Sequence, residues 1–167
     1  DIPIFVYNVP GRTVTSISVE TMARLAHDFK NLVGINDAPS DLSRPSRQRL
    51  LSGTEFFQLS GEDASSLGFN DQRGVGAISV TANAAPRLCA QLQEATLRGD
   101  FAAALTLQDQ LMPLHHAMFL EPSHGPVKYA VSLLGLCEPD VRLPLLPVTE
   151  PTKKAVEAAM VHAGLIN

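Results

Sequence analysis

Ile2-Pro3-Ile4-Phe5-Val6-Tyr7, followed by Asn8-Val9-Pro10-Gly11-Arg12-Thr13, decides the reading of the fold. The run from Ile2 to Tyr7 is almost continuously apolar, which suits a strand covered on both faces. Pro3 stands at its start, where a missing N–H is tolerated. A loop from Asn8 to Ser18 follows. Met22, Leu25, Ala26 and Phe29 then recur at i, i+3, i+4, i+7, so Val19–Phe29 is predicted as an amphipathic helix. Ser18 can cap it, and Glu20 suits its positive end.

Working outward, the unit repeats. Leu32–Ile35 (LVGI) is a short apolar run, and Pro45 opens a helix through Leu51. Phe56–Leu59 (FFQL) is a third strand with a helix behind it through Asn70. Val75–Val80 (VGAISV) reads as a fourth. Residues 1–84 thus contain four β-loop-α units, the signature of an α/β fold with parallel strands. Residues 85–167 carry no strand signal. They predict helices over Pro86–Leu97, Phe101–Phe119 (kinked at Pro113), Pro126–Leu134 and Thr152–His162. A four-stranded parallel sheet with helices on one side leaves its other face bare. Closure into a (β/α)8 TIM barrel buries that face. Half of such a barrel must pair with its other half, dimerise or remain partly folded, and a homo-oligomer is expected. The chain opens at Asp1 on an apolar run, so a cut end is expected there.

Composition narrows the function classes. With 167 residues, 45% hydrophobic and 18% charged, the chain is neither disordered nor a disulfide scaffold. A net charge of -4 argues against nucleic acid and against an anionic membrane as partners. No apolar run approaches a bilayer span, and no targeting segment is visible, so a cytoplasmic protein is expected. Cys89 and Cys137 are expected as buried free thiols. His115 and His116 are adjacent and diverge on a helix, and no metal-ligand spacing occurs. Gly74-Val75-Gly76 opens a strand and is no dinucleotide fingerprint. Glu62 and Asp63 read as a helix N-terminal charge pair. Arg44, Arg47 and Arg49 read as a solvated helix face.

Active sites of such barrels lie at the C-terminal ends of the strands. That rule selects Tyr7, Asn8, Asn36, Asp37, Ser60, Gly61, Glu62, Ser79 and Thr81, with Arg12 in the first loop on the same side. A tyrosine there can relay protons, and an arginine can clamp a carboxylate bidentately. Spacing alone leaves Tyr7 as an ordinary strand residue and Arg12 as a loop ion-pair partner.

Longer motifs say more. YNVPGRT (Tyr7–Thr13), LVGI (Leu32–Ile35), QLSGEDAS (Gln58–Ser65), GVGAISVTAN (Gly74–Asn83), LMPLH (Leu111–His115) and VRLPLLPVT (Val141–Thr149) resemble, in order, the dihydrodipicolinate synthase family of class I aldolases. That family includes N-acetylneuraminate lyase; GAISVTAN and the RLPL stretch resemble the synthase branch more. The resemblance corresponds to strands five to eight of the family's barrel and its helical tail. It implies a lyase that joins pyruvate to L-aspartate 4-semialdehyde in lysine (diaminopimelate) biosynthesis, through a lysine Schiff base and without a cofactor. It further implies Tyr7 as the proton relay, Arg12 as the holder of the second substrate's carboxylate, and Gly61 and Ile78 as linings of the pyruvate pocket. Its partners would be pyruvate or a similar keto acid, and an N-terminal barrel half or sibling subunit. The family's lysine motif aligns with Gly34-Ile35-Asn36-Asp37-Ala38-Pro39-Ser40, so the Schiff-base position holds Asn36.

A Schiff base needs a free amine. The carboxamide nitrogen of Asn36 is delocalised and does not attack a carbonyl. Lys30 precedes the second strand, and Lys128, Lys153 and Lys154 lie on the helical tail, so none is expected at the site. Pro39 and Ser123-His124-Gly125-Pro126 depart from the family pattern as well. The chain is therefore expected to be incomplete and inactive on its own. The alternatives are a non-catalytic keto-acid-binding or subunit-pairing paralogue, a purely structural half-barrel, and an N-acetylneuraminate lyase-like member.

Overall fold

The computed structural model describes residues 2–167. The chain divides into two compact units: one runs to Ile78 and includes Thr96–Gly99, and the other takes Ser79–Ala95 and Asp100–Asn167.

In the first unit, β1 (Ile4–Asn8), β2 (Leu32–Asp37) and β3 (Phe57–Ser60) form a parallel sheet in the order β1-β2-β3. Helices α1 (Pro10–Thr13), α2 (Val19–Asp28), α3 (Arg44–Ser52) and α4 (Ser66–Asp71) connect or follow the strands. Ser18 caps α2 by accepting from the Thr21 amide at 3.1 Å. Pro45 stands in the first turn of α3. The core is Met22 from α2, Ile35 from β2 and Phe56, with Val6, Ile17, Leu25, Ala26 and Leu32 around it. Each fully buried side chain of this size contributes roughly 1.5–3 kcal/mol. Along β2, Ile35 and Asp37 face these helices while Gly34 and Asn36 face away, because side chains alternate.

The turned-away face carries Phe5, Tyr7 and Phe57, exposed by 42%, 55% and 51%. The Phe5 and Phe57 rings lie 6.3 Å apart and flank Gly34. A Cβ there would fall 2.3 Å from Phe5 Cε1 and 2.6 Å from the Phe57 carbonyl oxygen.

Two strand expectations need correction. β1 and β2 run on to Asn8 and Asp37, past the apolar stretches, because hydrogen bonds pair their polar ends. The expected fourth strand at Val75–Val80 is reduced to one bridge, Ser60 with Ala77. Gly76 takes φ +150, a conformation that interrupts the pleat beside that bridge. The described residues therefore hold three strands and a bridge rather than four full units.

The second unit is helical: a short 3-10 turn at Thr81–Asn83, α5 (Pro86–Leu97, in this unit through Ala95), α6 (Phe101–Ala117), α7 (His124–Leu133) and α8 (Glu150–His162). Asp100 caps α6 through the Ala103 amide at 3.1 Å. α6 continues through Pro113 to Ala117. α8 packs on both α6 and α7. Leu111, Leu114, Ala130, Val156 and Met160 are fully buried. Tyr129 on α7 donates its hydroxyl to Glu157 on α8. Cys89 is buried, as expected, but Cys137 is exposed: it follows Gly135, beyond the end of α7 rather than inside a helix. No helix of the described residues is long and apolar enough to cross a membrane.

Candidate active site

The parallel strands of the first unit bring their C-terminal ends to one edge. Tyr7 and Asn36 are direct Cα partners across β1 and β2, and Asn36 is in turn the partner of Leu59 on β3. Gly61 follows β3, and its amide donates to the Asp37 carbonyl at 2.9 Å. Ile78 follows the Ala77 bridge, and its amide donates to the Ser60 carbonyl at 2.8 Å. Four of the five predicted site residues thus occupy neighbouring strand ends. The fifth, Arg12, is exposed on α1, in the loop that leaves β1.

Exposure divides these residues. Tyr7 and Ile78 are more than half exposed, while Asn36 is only 5% exposed. The Asn36 amide oxygen is buried without a hydrogen-bond partner. It lies against Gly61, where a Cβ would come within 2.8 Å of it. An unsatisfied buried carbonyl of this kind costs about 1–3 kcal/mol.

Behind this edge, on the helix side, lies a polar cluster whose central role sequence reasoning missed. Asn8 Nδ2 donates to Asp37 Oδ1 at 2.7 Å. Arg44 grips the same carboxylate with Nε on Oδ2 at 2.7 Å and Nη2 on Oδ1 at 3.2 Å. Arg44 therefore does not belong to a solvated face. It is 9% exposed, whereas Arg47 forms an exposed pair with Glu20 and Arg49 donates to the Gln72 carbonyl. The available signal was an acid at a strand exit, Asp37, with a base at the start of the following helix. Asn8 and Asp37 were selected only as strand-exit positions.

The remaining strand-exit candidates have local partners. The Ser60 hydroxyl donates to the Glu62 carbonyl, and Glu62 accepts from the Ala64 amide. In the second unit, the Thr81 hydroxyl and His115 Nδ1 lie 2.8 Å apart, and the Ser79 hydroxyl accepts from the Ala82 amide. His116 is exposed. Among the described residues, no group of His, Cys, Asp and Glu has the arrangement to hold a metal ion.

The model of the dihydrodipicolinate synthetase family matches residues 1–163. The chain belongs to that family. It is 58% identical over 166 residues to the 4-hydroxy-tetrahydrodipicolinate synthase of Cereibacter sphaeroides, covering 99% of this chain and 57% of that protein. The Mesorhizobium japonicum synthase matches at 58% with the same coverage of each. The chain thus spans a little over half the length of these relatives. Among solved structures, the dihydrodipicolinate synthase of Thermotoga maritima superposes with a TM-score of 0.95 at 36% identity, over 99% of this chain and 57% of that one. The chloride-inhibited Acinetobacter baumannii enzyme, solved in complex with pyruvate, gives 0.93 at 35% identity, over 98% and 56%. The α/β architecture is therefore that of the family, with the described sheet forming part of its barrel.

Proposed function

We propose that this chain carries one side of a keto-acid site laid out as in dihydrodipicolinate synthases, a lyase site for pyruvate and L-aspartate 4-semialdehyde. Tyr7 relays protons at the strand edge, Arg12 holds the carboxylate of the second substrate, and Gly61 and Ile78 border the keto acid. Asn36 stands where the family places its Schiff-base lysine. An amide there forms no imine, so the chain binds a keto acid without capturing it covalently and is inactive on its own.

One observation carries this reading. Asn36 is paired in register with Tyr7, is buried, and has an amide oxygen that no protein donor satisfies. Such an unsatisfied group suits a position shaped for a different side chain. The Cereibacter, Mesorhizobium, Thermotoga and Acinetobacter relatives are all synthases, which favours that reaction class over the N-acetylneuraminate lyase branch.

The exposed aromatic face at Phe5, Tyr7 and Phe57 supports pairing with further barrel strands, from a longer chain or a sibling subunit. Oligomerisation and a cytoplasmic setting belong to the same proposal, as does the division into barrel units at 1–84 and a helical region at 85–167.

The test is borohydride reduction in the presence of pyruvate, read by intact mass. The expected result is no adduct. A reduced pyruvyl group on this chain would overturn the non-covalent reading. Asn36→Lys, supplied with the N-terminal half of a relative, is expected to acquire the adduct at residue 36.

A further inference from the structure

The loop that carries Arg12 has almost no packing of its own. Residues 11–16 are all exposed, and α1 buries no side chain. Hydrophobic contact reaches the loop where it returns, through the Ile17 side chain against the core, and polar contacts fix the backbone of the same residue. The Ile17 amide donates to Asn8 Oδ1 at 3.1 Å, and its carbonyl accepts from Arg44 Nη2 at 3.2 Å. The Ser16 hydroxyl also donates to Asn8 Oδ1, at 3.3 Å. Asp37 ties the two holders together by accepting from both.

Asn8, Asp37 and Arg44 are 4%, 5% and 9% exposed. A buried ion pair is a weak source of stability, because desolvation offsets most of its attraction, and apolar side chains of similar size would serve the core at least as well. What apolar side chains could not do is grip both backbone polar groups of one residue, Ile17, in the returning loop. The cluster is also placed to serve the site. Asn8 follows Tyr7 and Asp37 follows Asn36, so each strand end turns one residue towards the candidate site and the next towards the loop anchor. The start of the loop is fixed on the same strands, since the Ala38 amide donates to the Asn8 carbonyl at 2.9 Å.

We propose that Asn8, Asp37 and Arg44 are positioning residues that set the loop from Val9 to Ile17 and so present Arg12 to an incoming carboxylate. The carboxylate part rests on the role proposed for Arg12 above; the loop part does not. None of the three touches the ligand.

Two measurements on the full chain test this separately. The first is hydrogen exchange of the amides of residues 11–17 in Asn8→Ser and Asp37→Asn. Exchange there is expected to quicken about tenfold or more, while amides of α2 and β2 stay as protected as before. The second is protection of Arg12 from phenylglyoxal by succinate, read on the Arg12 peptide. The succinate concentration giving half-protection is expected to rise about tenfold in both variants. Arg44→Lys, which keeps the charge and loses the planar fork, is expected to fall between the unaltered chain and Asp37→Asn. Unchanged loop exchange would overturn the proposal. So would a uniform quickening across the unit, which would make the three residues merely structural. If Asp37→Asn does not fold, Asn8→Ser decides, since it keeps the ion pair and cuts only the links through residue 8. If succinate fails to protect Arg12 in the unaltered chain, the carboxylate role of Arg12 falls while the exchange result still judges the anchor.

Discussion

Gly61 and Asn36 meet with no room for a methyl group between them: a Cβ on Gly61 would stand 2.8 Å from Asn36 Oδ1. It would also lie 3.0 Å from Ala38 Cβ and 3.1 Å from Ala38 Cα. The strand end after β3 is thus pressed against the strand end after β2 at the position proposed for the keto acid.

Gly61→Ala should therefore destabilise the first unit. The Asn36 side chain can swing, but the Ala38 backbone cannot yield as readily, so a cost of about 1–3 kcal/mol is expected. Urea denaturation, read as a lower midpoint with an unchanged slope, measures it. A midpoint equal to that of the unaltered chain would show that the close approach is easily relaxed.

Two arginines of α3 should behave very differently. Arg44→Ala leaves Asp37 buried without its counter-charge, and a loss of about 3–5 kcal/mol is expected. Arg47→Ala removes an exposed pair with Glu20, and its midpoint should match that of the unaltered chain. The two variants differ by one turn of helix, so equal effects would contradict the burial described for Arg44.

The phenol of Tyr129 should titrate late. Its hydrogen bond to Glu157 is the main cause, with desolvation and the Glu157 charge adding to it, and together they push its pKa up to about 12. The neutral phenol is thus favoured in the folded chain over the unfolded one, where tyrosine titrates near about 10. The resulting stabilisation of the α7–α8 contact is fully present below about pH 10 and is lost as pH rises towards about 12. Phenolate absorbance of Tyr7→Phe, which leaves Tyr129 as the only tyrosine, measures the titration directly. Glu157→Gln should move it to lower pH.

The parts of the fold that rest on periodicity were legible. The stripe of Met22, Leu25 and Ala26 placed α2, and the apolar cores of β1 and β2 placed the strands. Features that depend on contacts between segments distant in sequence were not. VGAISV has the composition of a strand, but a single glycine conformation at Gly76 reduces it to a bridge. Arg44 sits in a basic run that reads as solvated, and only the placement of Asp37 from the preceding strand shows that it is buried. Cys137 lies in an apolar neighbourhood and is nevertheless exposed, because the helix before it ends at Leu133. At the candidate site, the sequence could name Tyr7, Arg12, Asn36, Gly61 and Ile78 by resemblance. Periodicity could not show that the Asn36 amide oxygen is unsatisfied, because that depends on the groups around it in space.

The three-way link among Asn8, Asp37 and Arg44 also constrains how this gene can drift. Asn8 uses both ends of its amide, and Asp37 uses both of its oxygens, so replacing Asp37 strips both of the others of a partner, while replacing Asn8 or Arg44 leaves Asp37 and Ile17 each one partner short. Diverging copies of this chain should therefore keep or lose the trio together, by compensated steps.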